Sequence, residues 1–221
     1  MSSFLVIGLG RFGSTLASEL YEMGHEVFAV DKIEDRVARM TNNVTHAVVG
    51  NVNDESVIGS FGIADFDCVI LAIADSLEDS VLITLMVKEL GAKRIVCKAQ
   101  DEQHEKVLLK VGADTVVRPE HDMGKRTAHV LGQKHIIDVI ELSPDYQIAE
   151  VTAPREWSGR TIGECDLRRR YGITVLAISR GRGHGDLEID ISPGADAMIQ
   201  SGDALVVVGS NESVDEVGAL S

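Results

Sequence analysis

Gly8, Gly10 and Gly13 form the pattern G-x-G-x-x-G directly after the apolar run Phe4-Leu5-Val6-Ile7, and Asp31 closes the next apolar run, Glu26-Val27-Phe28-Ala29-Val30. Residues of these types at this spacing can hold a nucleotide. Gly8 permits a tight strand-to-helix turn, Gly10 lets backbone approach a phosphate, and Gly13 lets the following helix pack closely on the sheet. The N-terminus of that helix offers unpaired N–H groups and roughly half a positive charge to an anion. Asp31 can accept hydrogen bonds from a ribose diol, each worth about 1.5–3 kcal/mol to a charged acceptor. The same carboxylate repels a 2′-phosphate, which makes NADP the least expected nucleotide. A glycine turn and a helix-capping acid would use the same residues without a ligand. Strand, helix and terminal acid together within about 30 residues favour the nucleotide.

Arg11 sharpens the motif. A cation in the first turn of a helix opposes the helix dipole at a cost of about 0.3–1 kcal/mol unless an anion repays it. Arg11 therefore either faces a phosphate or leans away into water. Other chemistry has less support. The seven histidines are scattered without an HExxH pair or a nucleophile partner, and no G-x-x-x-x-G-K-[ST] loop occurs. A dehydrogenase needs a proton donor or acceptor and a substrate pocket on a substantial second domain, and the remaining chain is short for that. The chain is accordingly read as a binding protein and not an enzyme. Gly181-Arg182-Gly183-His184-Gly185 joins two strands and reads as a hairpin. Glu120-His121-Asp122 could bind a hard cation or could simply match a helix dipole. Arg168-Arg169-Arg170 is either a local anion site or a solvated helix end.

The chain has 221 residues, 44% of them hydrophobic, which suffices for one large or two modest cores. Its formal net charge of −14 disfavours nucleic acid and anionic lipid as partners. No apolar stretch approaches the roughly 20 residues needed to span a bilayer, and the first strand begins at once, so a cytoplasmic protein without a signal peptide is expected. Cys68 and Cys97 lie in apolar strand patterns and Cys165 in a polar segment; the spacing suits neither a disulfide nor zinc.

The elements that must position these groups alternate regularly. Helical spacing over Ile33–Met40 precedes a strand at His46–Val49 that ends on Gly50-Asn51. A helix capped by Asp54 and a fully apolar strand, Cys68–Ala72, follow. Leu77–Leu90, Ile95–Cys97, Glu102–Val111 and Thr115–Val117 continue as helix, strand, helix, strand. This alternation predicts an α/β fold, a Rossmann-like doubly wound parallel sheet, with the ligand across the C-terminal strand ends. Gly50, Asn51 and the Ala72–Asp75 stretch, with Ile73 and Ala74, are then further contacts. Pro119 opens a helix to Leu131, with Glu120 and Asp122 at its positive end. Short strands at Ile136–Leu142, Gln147–Val151, Ile173–Ser179, Leu187–Ile191 and Ala204–Val208, with helices at Thr161–Arg169 and Asn211–Leu220, predict a small α+β C-terminal lobe. The expected division is 1–132, a linker at 133–145, and 146–221.

Beyond the glycine loop, several segments carry a wider resemblance: Met23-Gly24-His25-Glu26-Val27, Ala29-Val30-Asp31, Thr45-His46-Ala47-Val48, Lys98-Ala99-Gln100, Gly112-Ala113-Asp114, Pro119-Glu120, Asp122-Met123-Gly124 and Tyr171-Gly172. With these the chain resembles, over nearly its whole length, the RCK (regulator of potassium conductance) regulatory subunits of Ktr/Trk potassium-uptake systems. The resemblance implies a cytoplasmic subunit that dimerises through Pro119–Leu131. Its dimers form an octameric gating ring beneath a membrane-embedded potassium channel chain of the KtrB/TrkH type. It implies ATP or ADP at the glycine loop, with NAD or NADH in TrkA-like members, and extends the contact set to Phe12, Lys32 and Lys98. Arg11 matches an arginine that reaches the terminal phosphate in the neighbouring subunit. Glu120 matches a carboxylate that binds Mg²⁺ or Ca²⁺ at the dimer interface in some members. Arg168 and Ile173-Thr174-Val175 match a region that binds cyclic di-AMP in others. One departure is Ala74, where members often carry glycine.

Overall fold

The computed structural model describes residues 1–73, 76–181 and 187–220, and these divide into two compact units, Met1–His121 and Asp122–Ser221. In the first unit the strands β1 (Ser3–Ile7), β2 (Glu26–Asp31), β3 (His46–Val49), β4 (Cys68–Leu71), β5 (Ile95–Lys98) and β6 (Thr115–Val117) form one parallel sheet in the order β3-β2-β1-β4-β5-β6. The helices α1 (Arg11–Glu22), α2 (Glu34–Met40), α3 (Glu55–Gly59), α4 (Leu77–Glu89) and α5 (Glu102–Val111) make the crossovers, as the alternating pattern predicts. Strand order reverses at β1 and β4, whose Ile7 and Leu71 are register partners. A crevice opens at such a reversal, beyond the C-terminal strand ends.

Burial explains the strand sequences. Leu5, Val69 and Ile95 are solvent-free in one apolar cluster, and Val6, Val27 and Ala29 are solvent-free in another. Adjacent strand residues thus enter opposite layers, which is why β4 is apolar at every position. Side-chain caps set the helix starts: Asp54 accepts from the Ser56 N–H (2.9 Å), Ser76 from Asp79 (3.1 Å) and Asp101 from His104 (2.8 Å). His104 is itself buried. Its Nε2 lies 2.7 Å from Ser80 Oγ, which donates to the Leu77 carbonyl, and its Nδ1 accepts from the Gln100 N–H. That set of partners selects the neutral ring, with its proton on Nε2.

The helix α6 (Pro119–Gly132) carries the chain from the first unit into the second. There β7 (Ile136–Glu141), β8 (Tyr146–Thr152), β9 (Thr174–Gly181), β10 (Leu187–Ile191) and β11 (Ala204–Ser210) form an antiparallel sheet in the order β10-β9-β11-β8-β7. Its core holds Trp157, Ile173, Leu205 and Val214, all without solvent exposure, beneath α9 (Asn211–Gly218). Asp203 is buried against Arg180, whose Nε and Nη2 reach its two oxygens at 2.8 and 2.7 Å.

Two expectations change. Residues 133–145 are no linker: Ile136–Glu141 is an edge strand because it turns back through Ser143–Asp145 and pairs with β8. The helix expected over Thr161–Arg169 is two, α7 (Ile162–Cys165) and α8 (Leu167–Tyr171), broken where Asp166 takes a left-handed backbone at φ 47°. Cys165, in a polar stretch of sequence, is fully buried. The Arg182–Gly185 part of the expected hairpin, like Ala74 and Asp75, lies outside the described residues. Among the described residues no helix is long and apolar enough to cross a membrane.

Candidate nucleotide-binding site

A cavity of about 1030 Å³ lies at the strand reversal of the first unit. It collects most of the expected contacts: Gly8, Gly10, Arg11 and Phe12 from the loop, Asp31 and Lys32 after β2, Gly50 and Asn51 after β3, Ala72 and Ile73 after β4, Lys98 at the end of β5, and Glu120 in the first turn of α6.

The three glycines differ in what constrains them. Gly8 sits at φ 97°, and a Cβ there would lie 2.9 Å from Ile73 Cγ1 and 3.1 Å from the Ala72 carbonyl carbon. Only glycine is unstrained there. A Cβ on Gly13 would lie 1.9 Å from the Gly8 carbonyl oxygen, so Gly13 lets α1 seat on the loop without itself lining the cavity. Gly10 has an ordinary φ of −68° and nothing within 4 Å of where its Cβ would be. No protein group therefore demands glycine at position 10, whereas the close approach of a ligand would. Gly10 gives α1 no side-chain cap, and the first turn-closing bond runs from Ser14 N–H to the Gly10 carbonyl. The N–H groups ahead of it have no partner within the helix.

Asp31 ties the site together. Its Oδ2 accepts the Leu9 N–H at 2.7 Å and Arg36 Nη1 at 3.2 Å, and its Oδ1 accepts the Ile33 N–H at 2.9 Å. The carboxylate is 6% exposed, so it is held rigid while Oδ1 keeps acceptor capacity for a hydroxyl. Arg36 also tempers the repulsion that a bare carboxylate would exert on a 2′-phosphate.

At the other side of the cavity Lys98 Nζ donates to Glu120 Oε1 at 2.6 Å. This bond comes first among the causes that hold the Glu120 carboxyl below its usual range; the Arg11 guanidinium adds to it through space. The Arg11 carbonyl accepts from the Ser14 and Thr15 hydroxyls at 3.3 and 3.0 Å, and its guanidinium lines the cavity. No three carboxylate, histidine or cysteine side chains among the described residues converge as a metal site, and Glu120 is 70% exposed, so it makes no cation site by itself. Cys97 offers no nucleophile either, since burial pushes its thiol up to about 11.

The cavity also includes residues that sequence reasoning did not single out: Arg36, Arg39, Asn43, Asn53, Ser76, Asp79 and Gln100. A cap signal, Ser76-x-x-Asp79, and the placement of Arg36 on the helix after Asp31 could have found three of them. In the second unit Arg168 and Thr174 are exposed, Val175 is half-buried and Ile173 is in the core. The Ile173 side chain is thereby removed from any ligand, leaving only its backbone.

The TrkA-N domain family matches residues 4–119 and the TrkA-C domain family residues 146–221. The chain is 44% identical to Ktr system potassium uptake protein C of Bacillus subtilis (strain 168) over 207 residues, 94% of this chain and 91% of that one. It is 42% identical to Ktr system potassium uptake protein A of the same organism over 211 residues, 96% of this chain and 93% of that one. A solved structure described as the GsuK channel bound to NAD superposes with a TM-score of 0.64 at 24% identity, covering 96% of this chain and 38% of that chain. That likeness speaks for the fold, and this chain spans less than half the length of the channel chain.

Proposed function

The chain belongs to the TrkA-N and TrkA-C family of potassium-uptake proteins, and we propose that it is the regulatory subunit of a potassium-uptake system, switching a separate membrane channel chain by exchange of ATP and ADP in the first unit's cavity. Its relatives are named as potassium-uptake components and not as enzymes, which supports a role in binding without turnover. The observation that carries the nucleotide reading is the shared cavity of Arg11, the open Gly10 and the fixed Asp31 at the reversal of a β3-β2-β1-β4-β5-β6 sheet. Asp31 takes the ribose, the loop N–H groups take the inner phosphates, and Arg11 takes the terminal phosphate across a subunit boundary.

The energetics suffice for a switch. A charged hydrogen bond to a γ-phosphate that ADP lacks is worth about 1.5–3 kcal/mol. Moving an assembly from 1:99 to 99:1 takes about 5.5 kcal/mol, or roughly 0.7 kcal/mol per subunit if eight act together in a ring. The proposed assembly is such an eight-subunit ring, four dimers each paired through α6, a helix with no buried residue of its own. Mg²⁺ or Ca²⁺ at Glu120 would need further ligands from the nucleotide or another copy. For cyclic di-AMP in the second unit, Arg168 and Thr174 are the side chains left to contact it.

NAD(H) is the second reading. It is favoured by a cavity that runs from Asn53 after β3 to Gln100 after β5, on both sides of the strand reversal where a dinucleotide lies. The deciding experiment measures heat stability of the full chain with ATP, ADP and NADH, then potassium flux after reconstitution with the channel chain. ATP-dependent flux supports the reading. Flux indifferent to every nucleotide, or nicotinamide turnover by the chain alone, refutes it.

A further inference from the structure

Lys98 and Glu120 both line the cavity, and they come from unlike places. Lys98 ends a central strand and its side chain is 17% exposed; Glu120 begins α6 and its side chain is 70% exposed. The ammonium is thus fixed by its buried stem, while the carboxylate is free to turn into water. Their 2.6 Å bond satisfies one of three ammonium donors. An ammonium half-withdrawn from water is costly to leave without an anion, so whichever anion is stronger and nearer will take it.

From this geometry we propose that Lys98 is shared competitively between two anions: the Glu120 carboxylate, and the phosphate of a bound nucleotide, so that phosphate binding releases Glu120, in the first turn of α6, from Lys98. The proposal rests on the nucleotide reading and adds the group that reports phosphate to the helix. Three features support it. The loop N–H groups at Gly10 and Arg11 open on the same cavity and place the phosphates within it. A nucleotide phosphate carries more charge than a carboxylate and outcompetes it for a lysine in a partly water-excluded site. Once Lys98 is paired with phosphate, the Glu120 side chain, 70% exposed, turns into water, so the exchange strands no buried charge.

A double-mutant cycle on the full chain tests this, with calorimetric titration of ATP, ADP and adenosine in EDTA to exclude divalent cations. Competition costs the nucleotide the strength of the Lys98–Glu120 pair. Glu120→Gln should therefore tighten ATP and ADP about threefold to fivefold, as expected for a partly exposed ion pair. Lys98→Met, which keeps the apolar stem, should weaken both. In the Lys98→Met background Glu120→Gln should change affinity by less than about twofold, because the competed group is gone. Adenosine, having no phosphate, should be indifferent to Glu120→Gln. Equal tightening in both backgrounds would mean plain repulsion between Glu120 and phosphate, and overturns the proposal, as does no tightening at all or an adenosine affinity that moves with ATP. If the wild-type chain binds none of ATP, ADP or NADH, the nucleotide reading itself fails and the proposal with it. Glu120 is exposed, so its variant does not threaten folding, and Lys98→Arg supplies a charge-retaining control.

Discussion

The backbone N–H of Leu9 donates to Asp31 Oδ2 at 2.7 Å, so one buried carboxylate links the glycine loop to the end of the second strand. Asp31 is therefore a structural residue as well as a ribose acceptor. Asp31→Ala strands two backbone donors, Leu9 and Ile33, and leaves Arg36 without its partner. It should destabilise the chain by about 2–4 kcal/mol without any ligand, and weaken ATP and ADP alike. Urea unfolding with no nucleotide present reads the first effect; an unchanged midpoint would show that the link carries no energy.

Gly10 and Gly13 should respond in opposite ways to the same substitution. Gly13→Ala forces a Cβ to within 1.9 Å of the Gly8 carbonyl oxygen and should cost more than about 3 kcal/mol of stability. Gly10→Ala meets no protein atom and should leave stability within about 0.5 kcal/mol of wild type while weakening nucleotides at least tenfold. Thermal melts paired with calorimetry separate the two. Undiminished affinity in Gly10→Ala would take the loop out of the binding site.

Arg11→Ala should erase the preference for ATP over ADP, a loss of roughly ten- to a hundredfold from about 1.5–3 kcal/mol. Affinity for ADP itself should change little. Competition titrations measure the ratio directly, and a ratio that survives the substitution would assign the terminal phosphate to another group.

Burial lowers the His104 ring below the usual histidine value, and the nearby Asp101 charge opposes it without reversing the direction. Its folded-state pKa is therefore depressed, and the unfolded chain takes up the proton first. The stability this contributes is fully present above the unfolded value of about 6.5 and is lost as pH falls through the folded one. Protonation also sets Nδ1–H against the Gln100 N–H. Wild type should lose stability between pH 7 and pH 5, and His104→Gln should show a shallower slope there although it is less stable at pH 7. Parallel slopes in the two proteins would assign the acid sensitivity to other groups.

The parallel strands are legible in the sequence because a strand buried on both faces has no room for a polar residue, as Cys68–Leu71 shows. Asp31 is legible because its position at a strand end has one common use. The partnership of Arg36 with Asp31 is not, since it depends on how the first turn of α2 curls back over the carboxylate. Ser80 and His104 meet across two helices, and nothing in either local pattern announces the other. The break at Asp166 is hidden for another reason: an aspartate with positive φ looks, in sequence, like any polar residue of a helix. Residues 136–141 read correctly as a strand, yet their sheet partner is set by pairing register, which local sequence does not encode, so the segment looks like a connection between domains.

The place of β7 in the second unit's sheet governs how that unit can be cut free. A fragment beginning at residue 146 would strip β8 of one complete flank of backbone partners, from Gln147 to Val151. The raw edge would recruit a strand from another molecule and drive the fragment toward aggregates. A fragment beginning at Asp122 keeps β7 in place, along with the Lys125–Glu141 and Arg126–Asp138 pairs that fasten it to α6. The longer piece is the one to express for crystals or titrations.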